Sequence, residues 1–102
     1  MIVKYNVKNQ VLYIYLLGEL DECSSQSSKK AIDKIIDETK NIRNVVFDFS
    51  NLSFMDSTGI GVLLGRYKKI KARGLGIFIK SPTISVEKVL EISGLYKVMP
   101  KI

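Results

Sequence analysis

The sequence predicts one α/β domain. Its sheet is mixed, with about four to five strands: an N-terminal hairpin, then parallel pairings, with helices packed on one side. Three observations predict this. The 102 residues have the length of a single domain, 1–102. Apolar residues are 46% and charged residues 25% of the chain, an ordinary globular balance with enough apolar surface to drive burial. Short β-branched and aromatic runs alternate with segments of helical period, and strands separated by helices pair in parallel.

The elements follow in order. Ile2 to Val7 and Val11 to Leu17 are strand-like, and the polar stretch Lys8-Asn9-Gln10 between them makes a hairpin turn. Asp21 is positioned to cap a helix, with Ser24 as its partner three residues on. From about Ser24 to Lys40, residues Ala31, Ile32, Ile35 and Ile36 form one apolar stripe opposite charged residues. Val45 to Phe49 has the character of a central buried strand. Ser50 to Met55 is a connection. Asp56 then caps a helix reaching about Ala72, with Ile60, Leu63, Leu64, Tyr67 and Ile70 at helical spacing and Gly74 as the stop. Leu75 to Ile79 is a further buried strand. Ser81-Pro82 signals a helix start, Val86, Val89 and Leu90 give that helix its apolar face, and Gly94 ends it. Tyr96 to Met99 is a candidate last strand.

Composition excludes several chemistries. The chain has no His, so no His-based triad, metal site or pH switch can be built. Cys23 is its one cysteine, which excludes a disulfide framework and a Cys-rich zinc site. With no His in the chain, nothing pairs with Cys23 to act as a base, so it reads as a small residue near a helix start rather than a reactive thiol. The longest apolar run, Val11 to Leu17, is far short of the roughly 20 residues of a membrane span. The first ten residues lack the pattern of a secretory leader. The expectation is a cytoplasmic protein in a reducing compartment.

The formal charge of +6 is uneven. Residues 1–50 hold seven basic and seven acidic side chains, while residues 51–102 hold nine basic and three acidic. Arg66, Lys68, Lys69, Lys71 and Arg73 form a cluster that could meet phosphate, nucleic acid or an acidic protein. The plainer alternative is a solvated helix face.

Asp56-Ser57-Thr58-Gly59-Ile60-Gly61 is the most informative segment, because it opens the second long helix. Gly59, Gly61 and Gly65 fall inside that helix, each at a cost of about 0.8–1 kcal/mol relative to Ala. Such a cost implies that something approaches closely. For Gly65 the expectation is tight internal packing; for Gly59 and Gly61 it is access for a partner. Ser57 is the first helical residue. The free N–H groups and dipole there favour negative charge, so a phosphoryl group of about −1.5 to −2 charges is tolerated by the fold. Asp56 opposes it by like charge. Otherwise Ser57 and Thr58 are merely polar first-turn residues.

Two enzymatic readings fail. The spacing Gly59-x-Gly61-x-x-x-Gly65 misses the dinucleotide-binding pattern by one residue, and no Asp or Glu occurs between Ser57 and Val86 to meet a ribose. Asp48 and Asp56 could be paired as acid and base, but no nucleophile accompanies them. Asp48 is better read as a hydrogen-bonding residue at a strand end. No catalytic residue, cofactor or metal site is expected.

Gly18-Glu19-Leu20-Asp21 and Leu52-Ser53-Phe54-Met55-Asp56-Ser57-Thr58-Gly59-Ile60-Gly61 resemble segments of STAS-domain proteins, specifically bacterial anti-sigma factor antagonists of the sporulation type. Leu64-Gly65-Arg66-Tyr67-Lys68, Ile70-Lys71, Ser81-Pro82 and Ser93-Gly94-Leu95 extend the resemblance over nearly the whole chain. It implies a partner-switching function. Unphosphorylated proteins of this kind bind an anti-sigma factor that is also an ATP-dependent serine kinase, and so release its sigma factor. Phosphorylation of the serine after the motif aspartate, Ser57 here, turns binding off. A PP2C-type serine phosphatase resets the protein. The resemblance implies a partner-binding set of Asp21, Asp56, Ser57, Thr58, Gly59 and Gly61, with Asp21 near Ser57 and Thr58 as a second candidate acceptor. Relatives commonly continue into a further helix beyond the position of Ile102. The alternatives are a STAS module of another signalling or transport system, or a small nucleic-acid binder using Arg66 to Arg73.

Overall fold

The structure, a computed structural model, describes residues 1–102. Strand β1 spans Ile2–Lys8 and β2 Val11–Leu20. Helix α1 spans Ser25–Glu38, β3 Asn44–Asp48, β4 Leu52–Met55 and α2 Ser57–Ala72. Strand β5 spans Gly76–Lys80, α3 Ile84–Ser93, and a 3-10 turn Leu95–Lys97.

The sheet runs β1-β2-β3-β5, with β4 also on β2. The hairpin pairs β1 and β2 antiparallel, and its turn places Asn9 and Gln10 at positive φ. All other pairings are parallel: β2 with β3, β3 with β5, and β2 with β4. β2 is long enough to serve two partners in succession. Val11 to Tyr15 pair with β3, and Gly18 to Leu20 pair with β4 across a register shift at Gly18/Glu19.

Alternation along β2 selects the core face. Leu12, Ile14 and Leu16 are fully buried, while Val11, Tyr13, Tyr15 and Leu17 are half-buried on the other face. Val45 and Phe47 of β3 and Ile77 and Ile79 of β5 join the buried set. Ile32 and Ile36 of α1, Val62, Leu63 and Ile70 of α2, and Val86 and Leu90 of α3 enter the same cluster. All three helices therefore pack on one side of the mixed sheet, as the element order predicts. Each fully buried Leu or Ile contributes about 1.5–3 kcal/mol by leaving water.

Five local expectations are corrected. Residues 52–55 are not a plain connection: Leu52–Met55 is strand β4, completed by the end of β2. α1 begins at Ser25, and Asp21 does not cap it directly. Instead Asp21 and Ser24 close a turn just before it. Pro82 is not the first residue of α3: Ser81 takes a left-handed φ of 54°, Thr83 is the N-cap residue, and the helix starts at Ile84. Tyr96 to Met99 is not a strand. Gly94 ends α3 at φ 75°, and the chain continues into the 3-10 turn. The edge of β5 is met instead further on, where Ile79 N–H donates to Pro100 O and Ile102 N–H donates to Ile79 O, each at 2.9 Å. Within α2, Val62 is wholly buried and Leu64 is exposed, so the buried stripe is rotated from the expected one.

Candidate functional site

The start of α2 is built by Asp56. Its backbone is extended (φ −115°, ψ −170°), and its Oδ1 accepts from Thr58 N–H at 2.9 Å and Gly59 N–H at 3.2 Å. A cap of this kind is worth about 1 kcal/mol. It has a second consequence: two of the N–H groups that would greet an anion already hold a carboxylate. Ser57, the first helical residue, is exposed, and Thr58 is half-buried. A phosphoryl group on Ser57 would therefore stand beside Asp56, not replace it in the cap, and present its charge outward.

The glycines divide differently from expectation. Gly59 is buried, and a Cβ there would collide with the Met55 side chain and lie 3.0 Å from Leu20 O. Gly59 thus lets α2 approach the ends of β2 and β4, which is internal packing and not partner access. Gly61 is exposed, with open space where a Cβ would go. Gly65 also has open space around that position, so tight internal packing does not explain it.

Asp21 reaches this edge through the sheet. Leu20 pairs with Met55, so Asp21 and Asp56 each lie one residue beyond a paired position at the ends of adjacent parallel strands. Asp21 Oδ1 accepts from Ser24 N–H at 3.0 Å, and Asp21 N–H donates to Ser24 Oγ at 3.0 Å. Ser24 Oγ in turn donates to Glu19 O at 2.8 Å. This reciprocal turn links Asp21 and Ser24 at both main chain and side chain. Beside it, Met1, Gly18, Glu19, Asp21, Cys23, Ser24 and Ser27 line an open cleft of about 520 Å³. Cys23 is exposed there, with Glu19 and Asp21 sharing the lining.

The other residues singled out by sequence are accounted for. Asp48 Oδ1 accepts from Ser50 N–H at 2.9 Å and Ser50 Oγ at 2.7 Å, a local turn at the end of β3. The basic cluster is split. Arg66 Nε lies 2.8 Å from Asp33 Oδ1, a pairing by charge without an aligned hydrogen bond. Lys69 Nζ lies 2.8 Å from Asp37 Oδ1, and Arg73 donates to Ile36 O and Thr39 O at 2.6 and 2.9 Å. Arg66, Lys69 and Arg73 thus fasten α2 to α1, leaving Lys68 and Lys71 free. Sequence reasoning missed this division because Asp33 and Asp37 lie more than thirty residues away.

The mixed sheet thus carries its helices on one side, and the capped head of α2 presents an exposed serine. The STAS domain sequence profile matches residues 3–102, and the chain belongs to that family. It is 39% identical over 90 residues to an anti-sigma F factor antagonist of Paenibacillus polymyxa, across 88% of this chain and 76% of the relative. It superposes on the unphosphorylated anti-sigma factor antagonist SpoIIAA with a TM-score of 0.79 at 28% identity, covering 99% of this chain and 88% of the other. On phosphorylated SpoIIAA of Bacillus the TM-score is 0.70, again at 28% identity, covering 99% and 91%. No helix of the chain is long and apolar enough to cross a membrane.

Proposed function

We propose that this protein is an anti-sigma factor antagonist switched by phosphorylation of Ser57. Unphosphorylated, it binds an anti-sigma factor that is also an ATP-dependent serine kinase, and so frees a sigma factor. Phosphorylated, it lets go, and a PP2C-type phosphatase restores it. It acts in the cytoplasm, as a binding protein and not an enzyme, without touching nucleic acid itself. The relatives' names support the reading, and one observation carries it. Ser57 is exposed at the first position of α2, next to a carboxylate that already occupies the helix N–H groups.

Asp21, Asp56, Thr58 and Gly61 form the contact surface with Ser57, while Gly59 shapes it from beneath. The switch needs no refolding. A phosphate trapped unpaired in an interface costs several kcal/mol, and 1.4 kcal/mol is already tenfold in affinity. The test is incubation with the anti-sigma kinase of the same organism, ATP and magnesium, read by intact mass. The expected result is one added phosphoryl group, absent from Ser57→Ala. Phosphate found on Thr58 alone would contradict the acceptor assignment.

A further inference from the structure

Along α2, residues Ser57, Gly61, Leu64, Lys68 and Lys71 are all exposed. Their spacing of four, three, four and three places them on one helix face. Over 14 residues that stripe is roughly 20 Å long. The opposite face, Gly59, Val62, Leu63 and Ile70, is buried, and the flank bearing Arg66, Lys69 and Arg73 is fastened to α1. Lys68 and Lys71 have no acidic partner among the ion pairs of the chain, and no Asp or Glu occurs from Ser57 to Val86. Leu64, 39% exposed, lies between the open backbone of Gly61 and Gly65. In a helix interior two such glycines cost about 2 kcal/mol, and nothing inside the fold uses the room they leave.

We propose that the partner-binding surface continues from Ser57 down this face, and that its occupant is an acidic, apolar-centred surface of the anti-sigma factor. This rests on the reading of function above. Leu64 and the two glycines admit a closely packed apolar group, while Lys68 and Lys71 meet carboxylates beyond it. The charge complementarity speeds encounter, and continuity with Ser57 gives both ends of the stripe one partner. Nucleic acid is disfavoured, since three of the five clustered cations are engaged with α1.

The test is the affinity of the full chain for the anti-sigma factor at low and high salt. It compares the unaltered protein, Leu64→Ala, Lys68→Glu with Lys71→Glu, and Ser57→Asp. The expected result is a loss of about tenfold or more for the double lysine variant at low salt, shrinking as salt rises. Leu64→Ala weakens binding at both salts, and all variants keep the native thermal midpoint within a few degrees. Unchanged low-salt affinity in the double variant, with Ser57→Asp still abolishing binding, overturns the extended surface and leaves the switch standing. No binding by the unaltered protein overturns both. Binding of a labelled DNA duplex, lost in the double variant, reassigns the stripe to nucleic acid and overturns it.

Discussion

Single residues at the head of α2 carry distinct burdens. Asp56 holds the first turn, Ser57 is displayed by it, and Gly59 keeps the turn close to the sheet. Gly59 and Gly65 look alike in sequence yet should respond oppositely to alanine. At Gly59 an added methyl meets Met55 and the Leu20 carbonyl, and overpacking of about 1–3 kcal/mol outweighs the gain in helix propensity. At Gly65 the methyl enters open space, so only the gain of about 0.5–1 kcal/mol remains. Urea midpoints check this: Gly59→Ala lowers the midpoint and Gly65→Ala raises it. A rise at Gly59 would show that α2 does not need the close approach. The cap at Asp56 and the exposed Ser57 were legible in the sequence, because capping is local. The division of the glycines was not, because the Leu20 carbonyl reaches Gly59 only through the pairing of β2 with β4, a contact no local pattern encodes.

At the scale of elements, what escaped sequence reasoning is also what depends on distant partners. Leu52 to Met55 is four residues with a polar Ser53, too short and mixed to announce a strand. It becomes one only because β2 runs on past β3 and offers Gly18 to Leu20. Tyr96 to Met99 has strand-like residues, yet Gly94 launches a 3-10 turn that tucks Leu95 and Met99 into the core. The long helices, the hairpin and the central strands were legible, because each has a buried stripe or alternation of its own.

The end of the chain is tied to α3 by a cluster that makes a pH prediction. Tyr96 Oη donates to Glu87 Oε1 at 3.1 Å, and Lys101 Nζ donates to both Glu87 oxygens at 3.0 Å. Burial, then the Glu87 hydrogen bond, pushes the Tyr96 phenol up to about 12 from the usual 10. Hydrogen bonding from Lys101 holds the Glu87 carboxyl below its ordinary range. For the phenol, the folded value lies above the unfolded one. Its contribution is complete below pH 10 and is lost as pH climbs from about 10 to about 12. For the carboxyl the sign is reversed, and its contribution is lost as pH falls through the lowered value. Ultraviolet titration should show the Tyr96 phenol ionising late, at about 12, and Glu87→Gln should move it toward the ordinary range. A Tyr96 phenol unaffected by Glu87→Gln would contradict the cluster.

At the scale of the molecule, the layout divides labour. One sheet face and three helices make the core, while the ends of β2 and β4 and the outer face of α2 form the surface proposed here to meet a partner. The basic half of the sequence is less basic in space than in composition, since Arg66, Lys69 and Arg73 are turned to structural use on α1. What remains for a partner is the capped serine and the stripe below it. On this account phosphorylation changes what is presented and not how the chain is folded. The most direct test is titration of the unphosphorylated and Ser57-phosphorylated protein with the anti-sigma factor, followed by amide NMR. The expected result is an affinity loss of tenfold or more, about 1.4 kcal/mol, with spectral differences between the free forms confined to the head of α2 and the neighbouring Asp21 turn. Equal affinities, or differences spread through β3, β5 and α3, would contradict it.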